Sequence, residues 1–128
     1  MDYSLKKDGE KKITPNFKVK EFACKDGSDK IIIDTKLVDI IQQARCYINQ
    51  PIKIISGYRT ESYNQFCGGA KNSYHCKGMA CDIRPYDFDL KELAIICASF
   101  GAKGIGIYKN QKFIHIDIRP NLYLFEGE

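Results

Sequence analysis

Residues 113–118 read Phe-Ile-His-Ile-Asp-Ile, a strict alternation that suits a half-buried β-strand and little else. Side chains alternate faces along a strand, so Ile114, Ile116 and Ile118 share one face while Phe113, His115 and Asp117 share the other. Three isoleucines commit their face to a core, and the opposite face presents His115 and Asp117 together toward a cleft. The one other histidine, His75, also lies near an acid, in Ser73-Tyr74-His75-Cys76-Lys77-Gly78-Met79-Ala80-Cys81-Asp82. Alternation puts Ala80 and Asp82 on one strand face and Cys81 on the other. Gly78 permits a tight bend that lets His75 and Asp82 converge. Two imidazoles and a carboxylate suit a catalytic zinc, which takes three protein ligands and keeps a fourth position for water. His75, Asp82 and His115 are therefore candidate ligands of one zinc ion. The competing reading is two ordinary histidines with local hydrogen bonds; an acid beside each of them favours the metal.

The rest of the chain supplies a scaffold. Asp34 or Thr35 caps a helix whose Leu37, Val38, Ile40, Ile41, Ala44 and Ile48 recur at helical spacing, and Pro51 stops it. Ile52–Ile55 reads as a strand, Thr60–Asn64 begins a short helix broken by Gly68-Gly69, and Met79–Ile83 is a second strand. Asp87 or Asp89 caps a helix running to Phe100, with Gly101 as its stop. Gly104–Tyr108 and Phe113–Ile118 form a hairpin around Lys109-Asn110-Gln111. Asn16–Cys24 is a short docking turn or helix, and Ile31–Ile33 a β-branched run. The expected fold is α+β, with two main helices packed on one face of a small, mostly antiparallel sheet. Residues 1–14 are expected to be a flexible basic arm and residues 15–128 a single domain.

Composition narrows the function classes. A chain of 128 residues is one domain's length and can bury a real core. The net charge of +4 is mild. Lysines at positions 6, 7, 11, 12, 18 and 20 would suit an anionic polymer or simply a solvated tail. No basic stripe interleaved with aromatics appears, so nucleic acid is not an expected partner. No apolar run approaches the roughly 20 residues that span a bilayer, so membrane insertion is not expected. Met1–Lys12 is polar and lacks the apolar stretch of a secretory signal, so synthesis in the cytosol is expected. Six cysteines make an even count. Cys46 and Cys97 fall in amphipathic helices as small hydrophobes, and Cys67, Cys76 and Cys81 near His75 lack the short paired spacing of common structural zinc sites. Free thiols are expected, with a cysteine-ligated metal as the minor alternative. A monomer is expected.

A family resemblance lies on the same residues. Ser73-x-His75-x-x-Gly78-x-Ala80-x-Asp82 resembles the zinc signature of the M15 family of D-Ala-D-Ala carboxypeptidases and murein endopeptidases. Ser56-Gly57-Tyr58-Arg59-Thr60 with Tyr63-Asn64, and Gly68-Gly69-Ala70-x-Asn72-Ser73, resemble segments that precede it. His115-x-Asp117, and the opening Asn16-Phe17-x-x-x-Glu21-Phe22-Ala23-Cys24, are similar to one branch. The resemblance runs in order from about Asn16 to Pro120 and implies the α+β fold shared with hedgehog domains. It places the zinc ligands on His75, Asp82 and His115. Its arginine, which holds a substrate carboxylate or polarises the scissile carbonyl, falls on Arg59. A planar, permanently charged fork suits either task. Arg59, Ser73 and Tyr58 are the candidate substrate-binding residues, and Tyr74 and Tyr108 are candidate cleft walls.

One departure bears on catalysis. Many members carry an acid three residues before the third zinc ligand, and here that position is Lys112. Asp117 is the nearby acid, as general base or as the partner that orients His115. The resemblance implies zinc-assisted hydrolysis of a peptidoglycan stem or cross-link peptide, of carboxypeptidase or endopeptidase type, at a bond involving a D-residue. A protein of this kind acts on the cell wall once released, as a phage endolysin is, or exported by another route. The alternative is a zinc-stabilised binding or structural module of the same fold without catalysis.

Overall fold

The structure, a computed structural model, describes residues 1–127; Glu128, the last residue of the expected domain, lies outside the described residues. Its first third holds β1 (Asp2–Ser4), the single turn α1 (Leu5–Asp8), β2 (Lys12–Thr14), β3 (Phe17–Lys18), a 3-10 turn at Val19–Phe22 and β4 (Lys30–Ile32). Next come α2 (Thr35–Ile48), β5 (Ile52–Ser56), α3 (Glu61–Phe66), a second 3-10 turn at Tyr74–Lys77 and β6 (Ala80–Pro85). The chain closes with α4 (Leu90–Ser99), β7 (Gly104–Tyr108), β8 (Phe113–Asp117) and β9 (Tyr123–Gly127).

The main sheet has the order β5-β6-β8-β7-β9. Every pairing in it is antiparallel except β7 with β9, which is parallel. The α+β fold, with a mostly antiparallel sheet and helices packed against it, is as expected. Ile83, Ile114 and Ile116 are fully buried on the helix-facing side, against Leu37, Val38 and Ile41 of α2 and Leu93 and Cys97 of α4 in one core. Ile118, expected to join them, lies just past the end of β8 and is only half-buried.

Local chemistry sets the helix ends. Asp34 caps α2 by accepting from the Lys36 amide at 3.0 Å. The helix ends before Pro51, at Asn49, whose left-handed φ of 53° is a conformation asparagine tolerates. Asp89, one of the two expected caps, accepts from the Glu92 amide and starts α4.

Two segments differ from expectation. Residues 1–14, expected as a flexible arm, are hydrogen-bonded into the domain. β1 pairs with β4, β2 pairs with β3, and the Leu5 amide donates to the Asp29 carbonyl. The lysines conceal a sparse apolar set, Tyr3, Leu5 and Ile13, that packs on the core. The second is β9, which no sequence signal marked, because Tyr123–Gly127 follows Pro120-Asn121 without a clean alternation of polar and apolar residues. Among the described residues no helix is long and apolar enough to cross a membrane.

Candidate metal centre

Strand register brings the first two residues together. Asp82 on β6 lies opposite His115 on β8, and Asp82 Oδ1 is 3.1 Å from His115 Nδ1. His75 comes from the second 3-10 turn, which Ser73 caps by accepting the His75 amide at 3.2 Å. Gly78 closes that turn at φ +71°, and a Cβ there would strike the Ile32 backbone, so conformation and space both require glycine. His75 Nε2 then lies 3.4 Å from Asp82 Oδ1.

The imidazole partners set the orientation of both rings. His75 Nδ1 is 2.8 Å from the Gly57 carbonyl, which can only accept, so Nδ1 carries the proton and Nε2 turns into the site. His115 is held in the opposite sense, with Nε2 donating to Asp117 Oδ2 at 2.8 Å and Nδ1 facing Asp82. One ligand atom from each of His75, Asp82 and His115 lies within 4.8 Å of the others. His75 and Asp82 are buried at 3% and 6% exposure, and His115 is half-buried. This cluster is geometrically suited to a divalent metal ion. It is the only group of three or more such ligands among the described residues, and no cysteine belongs to it. None of the six cysteines is paired in a disulfide.

Asp117 is fully buried beside the cluster. Its Oδ1 accepts from the Arg119 amide at 3.1 Å and from Arg119 Nε at 2.8 Å. Its Oδ2 accepts from Arg119 Nη2 at 2.6 Å as well as from His115. Four donors thus meet the roughly four lone-pair positions of a carboxylate. Two glycines on β7 make the room. A Cβ on Gly104 would collide with the Asp117 carboxylate, and one on Gly106 with the Phe125 ring. Phe125 packs on His115 with ring centroids 5.5 Å apart.

The electrostatics follow from these contacts. Burial alone would raise the Asp82 pKa, but hydrogen bonds from His115 and His75 hold it well below the usual carboxylate range. Burial likewise opposes ionisation of Asp117, and the Arg119 and His115 hydrogen bonds overturn it in the same direction. Burial disfavours the imidazolium of His115, yet its hydrogen bonds to Asp117 and Asp82 raise its pKa above 6.5.

An open cleft of about 580 Å³ lies over the cluster. Arg59, Ser73, Tyr74 and Tyr108 line it, as do His75, Asp82 and His115. Arg59 is anchored by three contacts, Nε to Ser56 Oγ at 3.0 Å, Nη1 to Asn64 Oδ1 at 3.2 Å and Nη2 to Asp82 Oδ2 at 3.3 Å. It therefore braces a candidate ligand as well as facing the cleft. Tyr58, expected to bind substrate, does not line the cleft. Its backbone amide donates to the Phe22 carbonyl, and its ring is buried in the core, because Gly57 packs directly on the Phe22 backbone. Lys112 is exposed in the β7–β8 turn at φ 60° and does not line the cleft either.

Several site residues escaped the sequence reading. Asn64 is buried, receives Arg59 and donates to the Ala70 carbonyl at 2.9 Å. It stood in the motif with Arg59 but was given no role in the site. Arg119 and Phe125 had no signal, since both act through β9 and the turn before it.

A family model described as peptidase M15 matches residues 15–117. A probable peptidoglycan L,D-endopeptidase MepK of Haemophilus influenzae is 40% identical over 77 residues, 56% of this chain and 41% of that protein. The peptidoglycan L,D-endopeptidase MepK of Escherichia coli K12 is 37% identical over 76 residues, covering 56% of this chain and 42% of the relative. The chain thus spans about two fifths of the length of these curated relatives.

Proposed function

The chain belongs to the M15 peptidase family, and we propose that it is a zinc-dependent peptidase that hydrolyses peptidoglycan peptides. The observation that carries this reading is the convergence of His75 Nε2, Asp82 Oδ1 and His115 Nδ1 on one point at the wall of the cleft. Two imidazole nitrogens and one carboxylate oxygen, with the cleft left for a water or substrate atom, suit zinc in its catalytic rather than structural role. Bound there, zinc supplies a Lewis acid and lowers the pKa of a coordinated water toward neutrality.

The chain's own residues provide positioning and charge. Gly57 and Asp117 hold the two imidazoles so that one nitrogen of each is free to bind. Arg59 lines the cleft as a fixed cation, where it stabilises a substrate carboxylate or a developing oxyanion. Asp117, with its lone pairs filled, serves by orienting His115 rather than as the general base. The relatives are named L,D-endopeptidases, so we favour an endopeptidase acting at a bond between an L- and a D-residue over a carboxypeptidase.

Purified zinc-loaded protein incubated with isolated peptidoglycan should release new amino termini. Chelation should stop the release and added zinc restore it. A protein that binds zinc yet releases none would instead be the non-catalytic, zinc-stabilised module.

A further inference from the structure

We propose that Arg119 is a positioning residue for the metal centre, a latch that holds Asp117 and, through it, the ring of His115. The inference rests on the reading of His115 as a metal ligand. Arg119 lies beyond residue 117, where the family match ends. It gives three of its donors to one buried carboxylate, the backbone N–H and Nε to Oδ1 and Nη2 to Oδ2. That fork fixes the plane of the carboxylate, not merely its charge.

The guanidinium is itself gripped. Its Cζ lies 4.8 Å from the ring centroid of Tyr74 and 4.8 Å from that of Tyr123. A guanidinium between two aromatic faces is attracted by both. Tyr74 belongs to the 3-10 turn that carries His75, and Tyr123 begins β9, so the latch ties both histidine-bearing segments to the last strand. Phe125, two residues further along β9, packs on the His115 ring itself.

The need for such a latch lies in the position of His115, between two carboxylates. Its Nδ1 faces Asp82 at 3.1 Å and its Nε2 faces Asp117 at 2.8 Å. Arg119 gives Asp117 a cation of its own and a fixed plane, so Asp117 stays an ionised acceptor for the proton on His115 Nε2, and Nδ1 stays aimed at the ligand point. Without the Arg119 side chain, the buried carboxylate is left with His115 and one backbone N–H, its plane is no longer fixed, and the imidazole loses its fixed acceptor.

Zinc affinity by chelator competition, together with the visible bands of the cobalt-substituted protein, tests the latch. Arg119→Ala should measurably weaken zinc binding, by up to the roughly 10-fold to 100-fold that losing the direct partner of a ligating histidine costs. Arg119→Lys keeps the charge but not the fork, so it should recover only part of that loss. Tyr123→Phe keeps the ring and should match the parent. At zinc saturation kcat should fall while KM holds, and the cobalt bands should shift. Should Arg119→Ala fail to fold, Arg119→Lys and Tyr123→Ala carry the same comparison. Parental zinc affinity and cobalt bands in folded Arg119→Lys and Tyr123→Ala would overturn the latch, even if their metal-free melting temperatures fall. A parent protein that binds no zinc would overturn the proposed function along with it.

Discussion

Asp82 and His115 are register partners across β6 and β8, and their side chains meet at 3.1 Å between Oδ1 and Nδ1. Two of the three candidate ligands are therefore set by the pairing of two central strands. The third, His75, arrives on a turn that Ser73 starts and Gly78 ends. Removing any one should abolish the site without abolishing the fold. His75→Ala and Asp82→Ala are each expected to lower zinc affinity by more than the roughly 100-fold that loss of an outer partner can cost. Isothermal titration with zinc measures this, and Cys76→Ser with Cys81→Ser serves as the control that should leave affinity unchanged.

Gly104 is the seat of the Asp117 carboxylate. Gly104→Ala would force a methyl into the space the carboxylate occupies. Crowding of this kind costs about 1–3 kcal/mol, and chemical denaturation of the metal-free protein should show a loss in that range. Ala at Gly27, where a Cβ meets nothing within 4 Å, tests the left-handed backbone alone and should leave zinc affinity untouched.

The metal-free protein should be least stable at the two ends of the pH scale. Asp82 and Asp117 have folded pKa values below 3.8, so their stabilisation is present above pH 3.8 and lost as pH falls through the folded values. His115 is raised above 6.5, so its stabilisation is full below pH 6.5 and lost as pH rises through its folded pKa. Melting temperature in chelator should therefore peak between pH 3.8 and 6.5. Zinc replaces the proton on His115 and should flatten the alkaline side. A melting temperature that climbs from pH 6.5 to 8 without metal would contradict the coupling.

Arg59 has two duties that kinetics can separate. Arg59→Ala removes a cationic donor from the cleft, a change worth about 10²–10³ in kcat where the donor faces a developing oxyanion. Zinc affinity should fall far less, since Asp82 keeps its two imidazole contacts. Lysine cannot reproduce the contacts to Ser56, Asn64 and Asp82 together, so Arg59→Lys should restore only a fraction of the rate.

The candidate ligands were legible because their signals are local. Alternation in Phe113–Ile118 is a property of strand geometry, and it placed His115 opposite the buried isoleucines before any partner strand was known. The spacing of Leu37, Val38, Ile41 and Ala44 marked α2 in the same way. Tyr58 shows where that legibility stops. It stands beside Arg59 in the same motif, yet the close approach of Gly57 to Phe22 turns its ring into the core.

By itself, then, the sequence determined which residues are the candidate metal ligands and which strand faces His115 and Asp82 occupy, because backbone periodicity acts over a few residues. Tertiary structure alone decided what surrounds them. The parallel docking of β9 on β7 brings Tyr123 to Arg119 and Phe125 to His115. The four donors on Asp117 turn a candidate base into a fixed acceptor. The number of donors reaching a buried carboxylate depends on which strands pack beside it and how closely, as the bare Cα of Gly104 allows here, and short-range sequence periodicity does not encode that.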